Sequence, residues 1–362
     1  MRTFTIAALA GDGIGSEIMP ITIELLKKVE NRVGGYHLDF NHLEAGADLY
    51  RRTGNAFPEE TFDAATRADA ILLGAMGLPE IRYPDGREIA PQLDLRERLE
   101  LYAGLRPIKA IPGLPRPLSD PRAEAIDLII VRESTEGLFA SRNSGEEVDN
   151  RIARDTMVIT RSGCERLFDF SFQLARERKT DGKPGKVTCV DKANVLGSFA
   201  FFRKIFDERS RIHTDIETEY SYIDAMALGM VTRPWDFDVL VMENMFGDII
   251  SDLGAALIGG MGMAPSGDIG DNHAVFQPCH GSAPDIAGSG KANPTAMFLS
   301  AALMMRWLAE RHGISEAAQG GQILQDSVET AYSHGNLIPM ELGGTAGTDA
   351  IYEAIRRQMD SQ

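Results

Sequence analysis

The sequence predicts an α/β protein of two domains around a cleft. Apolar runs of strand length alternate along the chain with longer helical stretches, and this alternation is typical of α/β architecture. The chain has 362 residues, whereas single domains cluster near about 100–150 residues. Its 36 Gly and 17 Pro are scattered rather than periodic, which excludes a collagen-like or low-complexity chain.

The individual elements follow from short apolar runs and from helical periodicity. The predicted strands and the clearest predicted helices are Thr5–Ala10, Ala70–Leu73, Asp127–Val131, Lys186–Val190 and Phe237–Met242, with helices at Ser16–Val29 and Ser162–Arg178.

Two passages rich in glycine and proline interrupt these elements. Leu105–Pro121 contains five prolines and Gly259–Gly270 contains five glycines, so both are predicted to be crossings or long loops. They divide the chain into a large domain, residues 1–101 plus 259–362, and a small domain, residues 102–258.

Composition narrows the class of protein. Against 53 acidic residues stand 37 basic ones, a formal charge of −16 that repels nucleic acid and anionic lipid. No apolar run reaches the roughly 18–20 residues of a membrane span, and no signal peptide opens the chain. The three cysteines are far apart, so neither a disulfide framework nor structural zinc is expected. We therefore expect a cytoplasmic protein without nucleic-acid or membrane partners.

A glycine-rich segment, Ala10–Glu17, joins the first strand to the first helix. Glycine at such a junction allows backbone to approach a ligand near a helix amino terminus. The segment is not a Rossmann fingerprint, because Ser16 stands where the third glycine belongs. A ligand-binding loop and a plain structural turn are both compatible with it.

Three arginines, Arg96, Arg106 and Arg132, lie in or beside apolar segments. A buried guanidinium is costly unless an acid or anion meets it, and its planar fork matches a carboxylate. Each one alone is compatible with an internal salt bridge. Together they fit a substrate with two or more carboxylates.

Asp248 and Asp252 are four residues apart and would project from the same face of a helix. Like charges at this spacing are unfavourable unless a cation bridges them. Oxygen ligands without nearby His or Cys suit Mg²⁺ or Mn²⁺, and Asp224 could supply a third carboxylate. The alternatives are a solvated helix face for Asp252 and a helix cap for Asp248.

Two further features follow strands. Lys192, directly after a predicted strand, is either an ordinary strand-end charge or a proton acceptor whose pKa is lowered by neighbouring cations. The Gly- and Pro-rich segment from Gln277 predicts an ordered loop that leads into a helix near Pro294, with Asn293 as its cap.

Seven separated motifs, in the right order over essentially the whole chain, resemble the β-decarboxylating dehydrogenases, the group of isopropylmalate, isocitrate, homoisocitrate and tartrate/D-malate dehydrogenases. These motifs are GDGIGSEI from Gly11, LRERLELYAGLRP from Leu95, RESTEGLF from Arg132, VDKANVL from Val190, ENMFGDIISD from Glu243, HGSAPDIAGSGKANP from His280 and LGGTAGT from Leu342.

The resemblance implies roles for the residues singled out above. Arg96, Arg106 and Arg132 would hold the malate carboxylates, and Asp224, Asp248 and Asp252 would bind the divalent cation. Lys192 and Asp224 would be catalytic, with Lys192 in proton transfer, and both would reach into the partner's cleft, so a homodimer with shared active sites is implied. The implied fold is the family's own two-domain α/β architecture, not a Rossmann fold.

The resemblance also implies the cofactor. An aspartate at the position of Asp285 accepts hydrogen bonds from the adenosine ribose hydroxyls and would repel a 2′-phosphate, so NAD is favoured over NADP. The other residues that match the family's adenine-side loop are His280, Gly281, Ala283 and Asn293.

The sequence departs from the family pattern at two positions. Phe139 replaces the usual tyrosine, whose hydroxyl helps to protonate the enol after decarboxylation. Either another group or water substitutes, or this last step is slow, or the chain is a non-catalytic regulatory paralogue. Gln277 replaces the glutamate that usually precedes Pro278.

The substrate is predicted from the residues before the first arginine. Isopropylmalate enzymes have apolar residues three and four positions before it, where this chain has Leu93 and Gln92. The serine of the isocitrate enzymes is replaced by Ala90. We expect NAD-dependent oxidative decarboxylation of a malate-type 2-hydroxy acid, nearest to isopropylmalate dehydrogenase, with tartrate/D-malate or isocitrate-type enzymes as alternatives.

Overall fold

The computed structural model describes residues 1–142 and 144–361. Within these residues the strands are β1 (Arg2–Gly11), β2 (Tyr36–Leu43), β3 (Ala70–Ala75), β4 (Ala103–Lys109), β5 (Asp127–Glu133), β6 (Glu146–Val148), β7 (Ile152–Arg154), β8 (Lys186–Asp191), β9 (Glu217–Tyr222), β10 (Val239–Met242), β11 (Pro265–Ile269) and β12 (Ala274–Pro278). The helices are α1 (Gly15–Val33), α2 (Ala47–Thr53), α3 (Glu59–Arg67), α4 (Pro91–Arg98), α5 (Arg161–Thr180), α6 (Gly197–Ser210), α7 (Ile223–Thr232), α8 (Asn244–Leu257), α9 (Thr295–His312), α10 (Ser315–Ser333) and α11 (Thr348–Ser361).

A ten-stranded mixed sheet runs through the molecule in the order β2-β1-β3-β12-β11-β4-β5-β10-β8-β9. Its first five strands come from residues 1–101 and 259–362, and its last five come from residues 102–258. The two halves join where β11 pairs antiparallel with β4 over Gly267–Leu105, Asp268–Gly104 and Ile269–Ala103. The α/β fold class is confirmed, while the domain boundaries stay a prediction.

The predicted regular elements are present with small differences at their ends. The strand predicted at Phe237–Met242 begins two residues later, at Val239, because Pro234–Asp236 forms a 3₁₀ turn that ends against Phe237. The helix expected near Pro294 begins at Thr295, and the Asn293 side chain accepts the Thr295 backbone N–H at 3.1 Å.

The prediction of long loops was wrong for part of each Gly/Pro-rich passage. β4 continues to Lys109 and includes Pro107. Pro107 pairs with Ile129 of β5, and the Ile129 N–H points away from β4 and donates to Asp238 O at 2.8 Å. The pair is therefore not joined by hydrogen bonds, so the missing N–H of Pro107 removes none from the pairing of β4 with β5. The second passage contains β11, in which Pro265 occupies the first position, where a strand tolerates proline.

The core lies on both faces of the sheet and is continuous across its two halves. The parallel strands β5, β10 and β8 are buried along their lengths, as expected for strands covered by helices on both faces. The register aligns Arg132 with Met242 and Met242 with Val190. The segments that follow these strands therefore emerge at one edge, where α/β proteins bind ligands. Among the described residues, none of the helices has the length and apolar character needed to span a membrane.

Candidate active site

The structure brings the three predicted arginines together. Arg96 lies on α4, Arg106 on β4 and Arg132 near the end of β5, and the latter two are each only 4% exposed. Burial, together with the neighbouring charges of Arg96 and Arg106, lowers the pKa of Arg132 to about 10. Positive charges are thus held close to one another in a poorly solvated place, which favours the entry of an anion.

Asp268 joins two of these arginines and was missed by the sequence analysis. Its carboxylate is fully buried and accepts hydrogen bonds from Arg96 Nε at 2.9 Å and from Arg106 Nη2 at 3.0 Å. Gln277 Nε2 donates a third bond at 2.9 Å. A charged residue beside the apolar Ile269 was a usable signal, but the glycines around it led to the prediction of a loop instead of β11.

Arg132 lies next to the predicted metal carboxylates. Its Nη1 pairs with Asp248, and its Nε and Nη2 lie 3.0 and 2.7 Å from Asn244 Oδ1. Asp248 and Asp252 both belong to α8, as predicted, and are four residues apart on it. The start of this helix is fixed by the buried Glu243, whose carboxylate accepts the N–H groups of the next turn.

The surroundings of Asp252 disfavour its negative charge. Partial burial and then the nearby charge of Asp248 raise the pKa of Asp252. A divalent cation between the two would remove this repulsion. The helix-cap alternative for Asp248 was wrong, since Asp248 is bonded to Arg132 and the helix cap is Glu243. Asp252 is exposed, so a solvated helix face is compatible with it.

Lys192 and Asp224 are paired with each other. Lys192 Nζ lies 2.5 Å from Asp224 Oδ1, and the side chains are 27% and 69% exposed. The hydrogen bond from Lys192 lowers the pKa of Asp224. The predicted trio of Asp224, Asp248 and Asp252 is not assembled within one chain, because the described residues contain no group of three His, Cys, Asp or Glu that could hold a metal.

The predicted specificity residues stand at the start of α4, one turn before Arg96. Gln92 is four residues before Arg96 and therefore on the same side of the helix. Its Oε1 is buried and has no hydrogen-bond partner. Leu93 is partly buried, and its N–H closes the first turn onto Ala90 O at 2.9 Å.

Phe139 lies in a 3₁₀ turn, Leu138–Ser141, close to the arginines. Its ring centroid is 5.1 Å from the Arg132 guanidinium carbon, within cation–π range. The ring therefore packs on a residue that is predicted to bind substrate. It offers no proton to a neighbouring group.

The predicted cofactor loop packs on the glycine-rich segment of β1–α1. A Cβ placed on Gly13 would lie 2.1 Å from Ser282 O, and one on Gly11 would lie 1.9 Å from Ala75 O. Both glycines also have positive φ. This segment approaches protein backbone rather than open space, so the structure favours a structural turn there.

The loop itself presents polar groups without protein partners. His280 Nε2 is buried and unbonded, and burial lowers the pKa of this imidazole. Asp285 is exposed and Gly281 has open space where a side chain would be. Ala283 adopts a left-handed conformation with φ 39°.

Asn293, another member of the predicted cofactor set, is held by side-chain hydrogen bonds to the protein. It is 8% exposed and donates to Glu341 Oε1 at 2.6 Å. With its bond to the start of α9, it connects the cofactor loop to the carboxyl-terminal segment.

Comparison with known proteins identifies the family of the chain. Residues 5–355 match the family model described as isocitrate/isopropylmalate dehydrogenase. The chain is 44% identical over 357 residues to the 3-isopropylmalate/3-methylmalate dehydrogenase of Methanocaldococcus jannaschii, with 98% of each chain covered. It is 38% identical over 371 residues to the 3-isopropylmalate dehydrogenase of Aquifex aeolicus, with 100% of each covered.

Solved structures show the same similarity. Isocitrate dehydrogenase from Methylococcus capsulatus superposes with a TM-score of 0.84 at 33% identity over 99% of both chains. The TT0538 protein from Thermus thermophilus gives a TM-score of 0.85 at 32% identity, over 98% of this chain and 68% of the other. Fold and relatives define the class as decarboxylating dehydrogenases. The chain belongs to the isocitrate/isopropylmalate dehydrogenase family.

Proposed function

We propose that the protein catalyses the NAD-dependent, Mg²⁺- or Mn²⁺-assisted oxidative decarboxylation of a malate-type 2-hydroxy acid, and that this acid is of the 3-isopropylmalate type. The observation that carries the proposal is the cluster of Arg96, Arg106 and Arg132. Relatives named 3-isopropylmalate dehydrogenase at 36–44% identity support the choice of acid.

In this proposal the arginines hold the two carboxylates of the acid. The Nη atoms of Arg96 have no hydrogen-bond partner among the described residues, and its side chain is 12% exposed, so the outer end of its fork is accessible. Arg132 and Arg106 are more deeply buried and would contact the part of the substrate that lies farthest in. Binding at both ends orients the hydroxyl-bearing carbon.

Asp248 and Asp252, with Asp224 of a second copy, would hold the divalent cation. The fit is chemical, since these are hard oxygen ligands. Partial burial and then the charge of Asp248 raise the pKa of Asp252, and a cation between the two carboxylates would offset their repulsion. When bound, the cation acts as a Lewis acid on the substrate oxygen and NAD accepts the hydride. For NAD, the unbonded His280 Nε2 and the exposed Asp285 are groups able to meet an adenosine moiety.

Lys192 would take the hydroxyl proton during oxidation. A proton acceptor needs a free nitrogen lone pair, whereas Lys192 Nζ is paired with Asp224 Oδ1 at 2.5 Å. The role therefore requires that this pair separate or that its surroundings change when the site is complete. Engagement of Asp224 by a metal would separate this carboxylate from Lys192.

A homodimer with shared sites would change the surroundings of the Lys192–Asp224 pair. Apolar side chains on α7 and α8 are exposed in the single chain: Leu228 is 66%, Val231 46% and Ile249 60% exposed. Val195 and Leu196, just after Lys192, are 66% and 44% exposed. Exposed apolar groups on neighbouring elements are typical of an interface. A second copy covering them would approach Lys192 and Asp224.

A second candidate function rests on Gln92. The buried, unpaired Oε1 would leave a cost of about 1–3 kcal/mol against an isopropyl group, whereas a substrate hydroxyl would donate to it. This favours an acid with a polar substituent, as in a tartrate-type enzyme.

The test is a substrate panel with purified protein. Isopropylmalate, D-malate, tartrate, isocitrate and homoisocitrate are supplied with NAD and Mn²⁺, and NADH absorbance is followed. We expect the highest kcat/KM with isopropylmalate. A preference for tartrate would support the Gln92 alternative. Metal binding without NADH from any of these acids would contradict both and favour a non-catalytic paralogue.

A further inference from the structure

Asp268 is the only acid that contacts Arg96 and Arg106 in the described part of the chain, and it is 0% exposed. Burial alone would raise the pKa of this carboxyl, but the two guanidinium groups outweigh burial and hold the pKa well below its ordinary value. The residue is therefore ionised at neutral pH. Its charge offsets part of the repulsion within the arginine cluster.

The contacts fix the orientation of both arginines. Asp268 Oδ2 accepts from Arg96 Nε and leaves both terminal nitrogens of that guanidinium available. On Arg106, Nη2 donates to Asp268 Oδ1, and Nη1 donates to Leu105 O at 3.0 Å and Gly267 O at 3.3 Å. A guanidinium held along one edge keeps a defined plane, which is what two-point binding of a carboxylate requires.

Gln277 completes the network by donating Nε2 to Asp268 Oδ2 at 2.9 Å, and it is itself 7% exposed. A glutamate at this position, as is usual in the family, would place a second carboxylate within hydrogen-bond distance of Asp268. Two carboxylates that close cannot both ionise. The neutral amide of Gln277 can instead donate a hydrogen bond to the ionised Asp268.

Gly104 gives the carboxylate its space. It stands opposite Asp268 in the pairing of β4 with β11. A Cβ on Gly104 would lie 3.2 Å from Asp268 Oδ1 and 2.6 Å from Ser134 Oγ. A side chain there would push the carboxylate away from the arginines.

We propose that Asp268 is a positioning residue that presents Arg96 and Arg106 to the substrate carboxylates, and that Gln277 is the neutral partner that allows it to carry this single negative charge. The inference deepens the proposed function, on which it rests. It accounts for the departure from the family pattern at Gln277.

The experiment compares Asp268→Asn, Gln277→Glu and the double variant, in which the carboxylate has moved from 268 to 277. Each single variant should raise KM for the acid substrate roughly ten- to a hundredfold, the loss expected for a charge-assisted network. KM for NAD and the affinity for Mn²⁺ should stay within about twofold. The double variant should recover most of the lost affinity, because one carboxylate again faces the arginines.

The matched control is Asp238→Asn. Asp238 is also 0% exposed and paired with an arginine, Arg178, but it belongs to the support of β8 and β10 rather than to the site. This variant should lower the melting temperature without changing KM. Equal KM effects at 268 and 238, or a double variant no better than the single ones, would overturn the inference.

A second readout separates this inference from the proposed function. Binding of malate to the protein is followed by calorimetry, with no turnover needed. If no acid is oxidised but malate still binds wild type at least about tenfold more tightly than Asp268→Asn, the proposed reaction fails and the positioning role stands. Equal malate affinity in the two proteins would reject the positioning role.

Discussion

Lys192 and Asp224 form an ion pair in which Nζ and Oδ1 are 2.5 Å apart, on the same chain and apart from the carboxylates of α8. In the proposed reaction, this pair would meet the α8 carboxylates of a second copy of the chain. Complementation between defective subunits tests this requirement.

Lys192→Ala and Arg132→Ala should each be nearly inactive, because each removes a group from every site of its own homodimer. When the two are unfolded and refolded together, half of the dimers are mixed, and each mixed dimer has one site with both wild-type residues. Activity should return to about a quarter of the wild-type value in an equimolar mixture. If both residues came from the same chain, mixing would restore nothing.

Phe139 packs on Arg132 without offering a hydroxyl. Phe139→Tyr should raise kcat by about a hundredfold, at the low end of what a positioned general acid contributes, if final protonation limits turnover. Steady-state kinetics in H₂O and D₂O measure the change. Phe139→Leu is the control, since it removes the ring and should weaken substrate binding instead. An unchanged kcat in the tyrosine variant would identify a different proton donor.

Asp285 is exposed. We expect its carboxylate to accept hydrogen bonds from the adenosine ribose hydroxyls of NAD. Wild type should use NAD much better than NADP. Asp285→Lys should lower the ratio of kcat/KM for NAD over NADP by at least about tenfold, since a cation there attracts the 2′-phosphate. Asp39→Lys makes the same charge change on the exposed part of β2 and should leave the ratio unchanged. Equal effects of the two substitutions would mean that only net charge matters.

Asp268 should also make stability depend on pH in the acidic range. Its folded-state pKa lies below the ordinary 3.8, so its stabilising contribution is complete above about pH 5 and is lost as the pH falls through 3.8 toward the folded value. Asp268→Asn should lower the free energy of unfolding by about 3 kcal/mol at pH 7. Denaturant titrations should show this difference shrinking below pH 4. A difference that grows in acid would contradict the assigned sign.

Gly13 contacts the carbonyl of Ser282, and its φ is +55°. Gly13→Ala adds a steric clash to the cost of about 1–2 kcal/mol for a left-handed non-glycine residue. Gly313→Ala is matched in φ, +65°, in the left-handed region, but has open space around it. The difference in unfolding free energy between the two variants therefore reports the clash. Gly13→Ala should also raise KM for NAD, because the clash displaces the cofactor loop.

Much of the fold could be predicted because local patterns specify it. The buried strands and the periodic helices were recognisable from runs of a few residues, and the placement of Asp248 and Asp252 on one helix required only their spacing. The passages around Pro107 and Gly267 were wrongly predicted to be loops. Proline is tolerated in a strand where its pairing needs no N–H, as at Pro107, and glycine is favoured where a neighbouring side chain leaves little room for a Cβ, as Phe276 does at Gly267.

The candidate site was predictable only in part. The motifs pointed to the arginines, but the contact between Arg96 and Asp268 joins positions 172 residues apart, and no local pattern records it. In the proposed homodimer, the surroundings of Lys192 and Asp224 would depend on contacts with a second copy of the chain. Sequence spacing cannot describe either kind of long-range contact.

The seam between β11 and β4 consists of three residue pairs, and Asp268 belongs to the middle one. Arg106 lies on the other strand of the seam, one residue beyond the last pair. If one half of the sheet bent against the other, the bending would occur at these three pairs. It would turn the Asp268 carboxylate relative to the Arg106 guanidinium. Bending at the seam and the binding of an acid by Arg106 would then be mechanically linked, so that a substitution which stiffens the seam would alter both at once.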